Sequence, residues 1–320
     1  MRTSWLLFSL SFVILFYSCS EQSGPDIRDY VITEKDLIPE GVAFDAATQT
    51  IYISSCYKRK IVAISKDGEV KDFIKEGQND IKSVIGMEVD NKRNCLWAVS
   101  SEANEVLPLK DPGEHQWRSS VFRFNLSDGK LVKQYQLNKD SVFLNDLTVA
   151  ADGTVYVTES AGKALYRIRP GEDTLALFIK FSNDYFINGL CFTDKPELLF
   201  VCNEQGILSV NINTAHYSLL PAININAGGI DGLAFHNDYF IAHQSSKVVR
   251  LYLSPGRDSI IRSDTLDSSK EFDASTTGEV SGDDYYFIVN SQIQSAYDLA
   301  DKKIKPMDSL ENIIIRRIKL

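Results

Sequence analysis

Four residues with oxygen-bearing side chains each stand at the head of an apolar, strand-like segment. They are Glu40 in PEGVAFD, Asn145 in LNDLTV, Asn188 in INGLCF and Asp231 in IDGLAF. Two carboxylates and two amide oxygens form a hard ligand set that suits Ca²⁺ best and also admits Mg²⁺ or Mn²⁺. Because no Cys or His joins the set, Zn²⁺ is a less favoured alternative. These residue types predict one bound divalent cation, provided that the fold brings them together.

The four motifs belong to a set of six related segments, each of which is typical of a strand, a tight turn and a second strand. The segments begin at Pro39, Val84, Leu144, Ile187, Ile230 and Thr276. Equivalent residues recur every 43 to 46 residues, with one longer interval of 60. This is the period of a β-propeller blade. Within the third segment, Asp152-Gly153 between apolar residues is typical of a hairpin turn.

Third and fourth strands follow in the same alternating pattern, for example KIVAIS from Lys60 and EVKDFI from Glu69. Helical periodicity is almost absent between residues 28 and 300, which argues against a fold of alternating strands and helices. The predicted fold class is all-β, a six-bladed β-propeller with four-stranded blades. It forms one domain over residues 28–320, and we expect a monomer. Ring closure needs a strand from one terminus, and both DYVIT from Asp29 and NIIIRRIKL from Asn312 qualify.

The first strand of each propeller blade lines the central channel, so the six strand starts meet at one mouth. The residues expected there are Glu40, Ile85, Asn145, Asn188, Asp231 and Thr277. Without a cation, Glu40 and Asp231 would be crowded like charges, which raises one pKa or demands a counter-ion. The alternative is that EG, NG and DG are ordinary turn pairs, as each would be if it stood alone. Four of them at equivalent blade positions favour a shared metal site.

The second strands return to the same face, which predicts further residues near a substrate rim. These are Ser55, Ser100, Glu159, Asn203, His243 and Asn290. His243 is the side chain among them that would titrate near neutrality, which makes it a candidate functional residue. The alternatives are that His243 is a plain solvated imidazole and that Glu159 is a surface carboxylate. The long interval between repeats contains SEANEVLPLKDPGEHQWRS from Ser101. Long loops of this kind are usually functional or disordered, and we expect a lid carrying His115 and Trp117.

The first 19 residues predict a signal peptide. Their apolar run, from Trp5 to Phe16, is shorter than the ~20 residues that a spanning helix needs. FYSC resembles the bacterial lipoprotein cleavage box, so we expect a lipid anchor on Cys19, followed by a tether at residues 20–27. The alternative is a plain secretory signal cleaved near Ser18 or Ser20. The chain is therefore expected at the cell envelope, with the anchor as its sole membrane contact.

The net charge bears on nucleic-acid binding, and the cysteine spacing bears on disulfides and metal binding. A net charge of −9 and a pI of about 5.1, without a long Lys/Arg cluster, exclude a nucleic-acid partner. After Cys19 the chain has four cysteines, Cys56, Cys95, Cys191 and Cys202. Their spacing matches neither a metal pair nor a disulfide scaffold, although Cys191 and Cys202 flank one hairpin and could pair. Buried free thiols are the favoured interpretation.

The motifs PEGVAFD, LNDLTVAADG, INGLCF and IDGLAF resemble the strand starts of the regucalcin/gluconolactonase (senescence marker protein) family. A more distant likeness is to the paraoxonases, and the resemblance covers roughly residues 35–300. It implies that Glu40, Asn188 and Asp231 bind the cation. It also implies that Asn145 contacts metal-bound water or substrate, with Asp146 behind it. The Asp of the DG motif, here Asp231, is the family's usual candidate for the general base in lactone hydrolysis.

Two departures from these families bear on the substrate. Phe143 stands where sugar lactonases carry an Arg, and Ile85 stands where paraoxonases place a catalytic His. With Phe143 and Ile85 at the rim, a more apolar ester or lactone is expected rather than a small polar sugar lactone. The expected function is an exported, metal-dependent hydrolase of such a small molecule. A non-catalytic, metal-stabilised binding propeller is the alternative, and a lyase or synthase similar to strictosidine synthases ranks third.

Overall fold

The computed structural model of the protein describes residues 26–102, 118–137, 139, 141–182, 185–298, 300 and 303–320. Six four-stranded antiparallel sheets form the blades of a β-propeller, which confirms the predicted fold class. The first strand of each blade contacts the first strands of both flanking blades, so the inner strands form a closed ring. Helical structure in the described residues is limited to four 3₁₀ turns, at Lys35–Leu37, Gln78–Asp80, Asn91–Arg93 and Met307–Ser309.

The strands of the first three blades are numbered in chain order from the channel outward. Blade 1 contains β2 (Val42–Asp45), β3 (Thr50–Ser55), β4 (Lys60–Ile64) and β5 (Val70–Ile74). Blade 2 contains β6 (Ser83–Asp90), β7 (Cys95–Ser101), β8 (Ser119–Asn125) and β9 (Leu131–Leu137). Blade 3 contains β10 (Leu144–Val149), β11 (Val155–Glu159), β12 (Ala164–Ile168) and β13 (Ala176–Lys180).

The other three blades follow the same order, except that blade 6 draws on both ends of the fold. Blade 4 contains β14 (Ile187–Phe192), β15 (Leu198–Asn203), β16 (Ile207–Asn211) and β17 (Tyr217–Leu219). Blade 5 contains β18 (Leu233–His236), β19 (Tyr239–His243), β20 (Val248–Leu253) and β21 (Ile260–Asp267). Blade 6 contains β22 (Gly278–Ser281), β23 (Asp284–Ile288), β26 (Ile313–Lys319) and β1 (Ile27–Ile32). A separate hairpin pairs β24 (Tyr297–Asp298) with β25 (Lys303–Ile304).

Short polar turns between apolar runs connect neighbouring strands within the blades. In blade 3, Val149 lies opposite Val155, and the chain reverses between them. Gly153 has a φ of 94°, a conformation that favours glycine, and its amide donates to the carbonyl oxygen of Ala150 at 2.8 Å. Asp152-Gly153 is therefore the hairpin turn that the sequence predicts.

The core lies between neighbouring sheets. Ile53 of blade 1 and Ile288 of blade 6 belong to one buried cluster, and the rings of Phe44 and Tyr286 stack there at 4.4 Å. Because both faces of a blade are covered by its neighbours, the middle strands are apolar on both faces. This packing fixes the angle between blades and hence the positions of the strand starts around the channel.

Both candidate closing strands take part in blade 6. Ile315 of β26 pairs with Ile288 of β23 on one side and with Tyr30 of β1 on the other. Beside it, the guanidinium of Arg316 donates to the carboxylate of Asp29 and to that of Asp267 in blade 5, all at 2.8 Å. The ring is therefore closed where the two ends of the fold meet, in the ladder between β26 and the outermost strand β1.

The described cysteines, Cys56, Cys95, Cys191 and Cys202, are buried free thiols, as the sequence favours. Three other predicted segments lie outside the described residues. They are the signal peptide at 1–19 with its lipid anchor, most of the tether at 20–27, and the part of the expected lid, 103–117, that carries His115 and Trp117. Within the described ranges, no helix has the length and apolarity needed to cross a membrane.

Candidate metal centre

The four oxygen-bearing residues of the strand starts line one small cavity in the channel. This strand-start cavity has a volume of about 10 Å³, enough for one water molecule or ion. Its lining residues are Glu40, Asn145, Asp146, Asn188, Asp231, Gly232, Thr276 and Thr277. The propeller thus brings together the four residues that the sequence selects, and cation binding by them stays a prediction.

Irregular strand starts help to aim these side chains at the channel. The ladder of β10 shifts register between Leu144 and Leu147, and that of β14 shifts between Ile187 and Leu190. A bulge of this kind inserts an unpaired residue and re-aims its side chain. Asn145 and Asn188 lie within these shifts, which explains how polar residues at the head of an apolar strand come to line the cavity.

Glycines after the channel residues let the strand starts approach closely. A Cβ on Gly189 would lie 2.5 Å from the carbonyl oxygen of Asp231, and one on Gly232 would lie 2.6 Å from that of Thr276. Real Cβ atoms do not come this close to backbone atoms, so any larger residue would push neighbouring blades apart. The Gly of the repeated motif is therefore needed for the strand starts to pack closely around the channel, and not only for a turn.

Hydrogen bonds orient the two amides. Nδ2 of Asn145 donates to Oγ of Ser160 at 3.1 Å, and this leaves Oδ1 of Asn145 buried without a hydrogen-bond partner. Nδ2 of Asn188 donates to Oδ1 of Asp231. Among the described residues, no donor meets the carboxylate of Glu40. A buried amide oxygen without a partner is rare in folded proteins, and a cation would satisfy it.

The carboxylates of the strand-start cavity favour their neutral forms in the absence of a cation. Burial, and then the charges of Asp231 and Asp146, raise the pKa of Glu40 well above its ordinary value. Burial also raises the pKa of Asp231 to about 7, although the hydrogen bond from Asn188 opposes the shift. A divalent cation would remove this penalty by pairing with the ionised forms.

The donor set fits a hard cation. In the described part of the chain, no three His, Cys, Asp or Glu side chains are grouped as metal ligands usually are, so a site here depends on its amide oxygens. Ca²⁺ suits a set of two carboxylates and two amides, and such a set leaves positions for water or substrate. The buried Oδ1 of Asn145, which has no partner, would be one of the ligands. Glu40, Asn145, Asn188 and Asp231 are the residues that would hold it.

Asp146 lies behind these four residues. Its Oδ1 accepts a hydrogen bond from the amide of Leu147 at 2.9 Å, and the amide of Leu190 also bonds to the carboxylate. Burial nevertheless raises its pKa to about 7. Asp146 therefore ties the start of β10 to β14, which suits the supporting position that the sequence predicts.

Four pairs of neighbouring blades are each joined by a hydroxyl or thiol near the end of a second strand. In each case it donates to the carbonyl oxygen just before the channel residue of the next blade. The pairs are Cys56 with Val84 at 3.4 Å, Ser101 with Leu144 at 2.7 Å, Ser160 with Ile187 at 2.5 Å and Ser291 with Pro39 at 2.5 Å. These contacts hold the backbone in front of the strand-start cavity. Sequence reasoning missed them, although small residues at equivalent repeat positions were a signal.

The residues expected at a solvent-facing rim are buried instead. Ser55, Ser100, Glu159, Asn203, His243 and Asn290 are each at most 4% exposed. Their polar atoms bond within the fold, as Glu159 illustrates by accepting hydrogen bonds from the amides of Phe143 and Gly162. Glu159 is therefore not a surface carboxylate, and these side chains do not form an open rim.

His243 is fully buried, so it is neither a solvated imidazole nor a group that titrates near neutrality. Burial lowers its pKa to about 3. The physical reason is that a charged imidazole would lose its hydration in a site without an acidic partner.

A covering segment explains why the rim is closed. Phe143 and Ile85 lie in a buried apolar cluster, against which Ile293 packs. Ile293 belongs to the stretch between β23 and β26 that contains the β24–β25 hairpin. Asn290 joins the two ends of this stretch, because its Nδ2 donates to the carbonyl of Asn312 and its Oδ1 accepts from the amide of Ile314. No repeat in the sequence indicates this covering segment.

A larger cavity of about 310 Å³ lies farther along the first strands and shares Asp146 and Thr277 with the strand-start cavity. Besides Asp146, the carboxylates of Glu88 and Glu279 line this channel cavity. Glu88 accepts a hydrogen bond from the amide of Val149 at 3.1 Å, whereas no donor among the described residues meets Glu279. Burial, and then the charge of Asp146, raise the pKa of Glu279 to about 8. Neither Glu88 nor Glu279 belongs to a strand-start motif that points to the channel mouth.

Replacing Glu279 with Gln is expected to stabilise the cation-free protein in alkaline solution. The folded protein keeps Glu279 protonated to a higher pH than the unfolded chain does. Its contribution to stability is therefore complete below about pH 4.5 and is lost as the pH rises to about 8. After allowance for water in the cavity, the cost at the upper end is on the order of 2 kcal/mol.

Thermal unfolding with a chelator between pH 4.5 and 9 measures this effect. The Tm of Glu279→Gln should match that of the wild type at the acidic end and exceed it increasingly toward pH 8. Glu69→Gln is the control, because Glu69 is exposed and ought to change little. A constant difference across the pH range would contradict the assignment.

Comparisons with known proteins support the fold. No family model matches the sequence, and no curated protein is significantly similar to it. A gluconolactonase structure from Xanthomonas campestris has a TM-score of 0.63 at 14% identity and covers 92% of this chain and 90% of its own. A putative gluconolactonase structure has a TM-score of 0.63 at 17% identity, with 93% and 92% covered.

A virginiamycin B lyase structure from Staphylococcus aureus is also similar, with a TM-score of 0.58 at 12% identity over 93% of this chain and 100% of that one. At such identities the likeness shows the fold. The chain is a six-bladed propeller whose structural neighbours include gluconolactonase-like proteins, in agreement with the resemblance of its strand-start motifs.

Proposed function

We propose that the protein is an exported, divalent-metal-dependent hydrolase of a lactone or ester. One observation carries the proposal: two carboxylates and two oriented amides surround an ion-sized cavity in which the buried Oδ1 of Asn145 has no partner. The similarity to a structure described as a gluconolactonase supports the reaction class. Ca²⁺ is the favoured cation, because all four side chains offer oxygen.

A bound cation would polarise the substrate carbonyl and stabilise the negative charge that develops on its oxygen. Asp231 supplies the base. Its Oδ1 accepts the hydrogen bond from Asn188, whereas no donor in the described residues meets Oδ2. Oδ2 takes a proton from water as the water oxygen bonds to the carbonyl carbon, and the proton then passes to the alcohol oxygen as its bond to that carbon breaks. Glu40 and Asn145 hold the cation.

The apolar surroundings favour an apolar substrate over a small sugar lactone. Phe143 and Phe186, with ring centroids 6.3 Å apart, belong to the cluster that also contains Ile85. Burial of a hydrocarbon chain against such side chains would contribute about 0.8 kcal/mol per methylene group. The substrate rim proposed from Phe143 and Ile85 would require movement of the covering segment that carries Ile293.

A panel of lactones and aryl esters of increasing chain length tests the proposal. Wild-type protein should hydrolyse at least one member with added Ca²⁺, lose the activity with a chelator, and recover it when Ca²⁺ is restored. Preference should rise with chain length. Folded protein that binds Ca²⁺ but leaves every member intact would contradict the hydrolase.

A non-catalytic binding propeller is the second candidate. It is favoured by the small volume of the strand-start cavity, about 10 Å³, and by the burial of Ile85 and Phe143 beside it. In that case the cation would close the channel and raise stability without turnover. The same panel, read with Ca²⁺-dependent thermal unfolding, separates the two functions.

Export is supported by the apolar run from Trp5 to Phe16 and by Cys19 after it. Fractionation of the producing cells checks it: the protein should be found in the envelope, and recovery with the cytosol would contradict the proposal.

A further inference from the structure

His243, the last residue of β19, is fully buried, and both of its ring nitrogens are hydrogen-bonded. Nδ1 lies 2.8 Å from Oγ of Ser275, and Nε2 lies 2.6 Å from the hydroxyl of Tyr285. The proposed reaction uses none of these three side chains. A buried polar network of this kind is costly unless every member has a hydrogen-bond partner, and a fully satisfied network holds its side chains rigidly.

The direction of each hydrogen bond follows from the partners. Oγ of Ser275 also lies 2.6 Å from the carbonyl oxygen of Ile288, which can only accept, so the single hydroxyl hydrogen of Ser275 is donated there. Ser275 must then accept from Nδ1–H of His243. The neutral ring consequently has no hydrogen on Nε2, which accepts from Tyr285. The network therefore has one donor order and holds the imidazole in one tautomer.

This network is joined to the strand-start cavity at two points. The backbone of His243 pairs with the segment that carries Asp231: the amide of Asp231 donates to the carbonyl of His243 at 2.9 Å, and the amide of His243 donates to the carbonyl of Gly232 at 3.0 Å. On the other side, Ser275 precedes Thr276, whose Oγ1 donates to the carbonyl of Glu40 at 2.8 Å. The ring of His243 thus bridges the backbones that carry Asp231 and support Glu40.

We propose that His243 is a positioning residue for the cation, which holds the strand starts of blades 5 and 6 at the separation that Asp231 and Glu40 need. The inference rests on the proposed metal site and adds the contact that sets the distance between Asp231 and Glu40 across it. Two like-charged carboxylates in one cavity tend to move apart, and a bridge with fixed donors and acceptors opposes that movement. Mutation of a residue that orients a metal ligand typically weakens metal affinity by about 10- to 100-fold.

Calorimetric titration of the purified protein with Ca²⁺ tests the inference. His243→Leu keeps the volume and removes both hydrogen bonds, and its Kd should be at least about tenfold weaker than that of the wild type, measured well below the Tm of the cation-free variant. Because the ring acts as a neutral bridge, the ratio of the two Kd values should stay constant between about pH 6 and 8. His243→Asn, which keeps a donor near Nδ1, should recover part of the affinity.

The control is His236→Leu. His236 lies at the end of β18 that is far from the strand-start cavity, and it contacts the side chain of Asn237. The Kd of His236→Leu for Ca²⁺ should therefore equal that of the wild type. If His243→Leu does not fold, Ser275→Ala takes its place and should weaken binding in the same direction. Unchanged Ca²⁺ affinity in the folded His243 or Ser275 variant, even with a lower Tm, would overturn the inference. Absence of Ca²⁺ binding by the wild type would overturn the proposed metal site and this inference with it.

Discussion

Asp231→Asn is expected to abolish hydrolysis and to weaken Ca²⁺ binding by at least about 100-fold while leaving the cation-free fold intact. The variant loses the base, and with it one of the two negative charges that hold the cation. Removing an activated base together with a ligand costs on the order of 10³-fold or more in turnover. Since burial raises the pKa of Asp231 to about 7, a neutral amide at this position should not lower the Tm of the cation-free protein.

Three measurements on one preparation separate this outcome from misfolding. They are the Tm with a chelator, the Tm with Ca²⁺, and the rate on the best substrate of the panel. The wild-type Tm should rise with Ca²⁺, whereas that of Asp231→Asn should not. Asp238→Asn is the matched control, because Asp238 is exposed in the hairpin turn at the other end of the same strand. An Asp231→Asn variant that retains the Ca²⁺-dependent rise in Tm would refute the role of Asp231 as a ligand.

Gly189→Ala is expected to destabilise the fold strongly through the addition of a single methyl group. The new Cβ would lie 2.5 Å from the carbonyl oxygen of Asp231 and 2.9 Å from Cα of Gly232, and neither atom belongs to a side chain that can turn away. The amide of Gly189 also donates to that same carbonyl at 2.8 Å, so separating the strands breaks a hydrogen bond. We expect a loss of about 3 kcal/mol in the free energy of unfolding.

Denaturant unfolding with and without Ca²⁺ measures both consequences. The displacement of Asp231 should also weaken Ca²⁺ binding, so the stabilisation by Ca²⁺ should shrink. Gly256→Ala is the control, because a Cβ there would meet only the carboxylate of Asp258, at 3.2 Å. A Gly189→Ala protein as stable as the Gly256→Ala protein would mean that the strand starts are less tightly packed than the structure indicates.

The repeat, the fold and the convergence of the strand starts were predictable because they depend on periodicity and on strand direction. Each channel residue stands just before the Gly of its motif, or before Asp146 in the case of Asn145, and a propeller places such positions around one axis. Ring closure was ambiguous, because β1 and β26 both have the composition of a strand. Each pairs with the other in the same sheet, and no local pattern indicates their order.

The rim could not be predicted for a different physical reason. Strand direction correctly brings Glu159 and His243 to the end of the blade that faces the strand starts, but exposure there depends on what lies above them. The segment that begins after Asn290 covers that end, and its contacts connect residues far apart in sequence. Local alternation likewise does not reveal that Glu279 lines a cavity together with Glu88, because the two residues belong to different blades.

The order of strands in blade 6 makes the two ends of the fold unequal in how they can open. From the channel outward it is β22, β23, β26 and β1, and most residues of β1 are exposed. Detachment of β1 would expose Ile32 and break the hydrogen bonds from Arg316 to Asp29, but it would leave a three-stranded blade with the β23–β26 pairing intact. It is therefore the less costly of the two openings. Release of β26 would strip β1 from its only partner strand in the sheet and expose Ile288, so the ring would open at that seam.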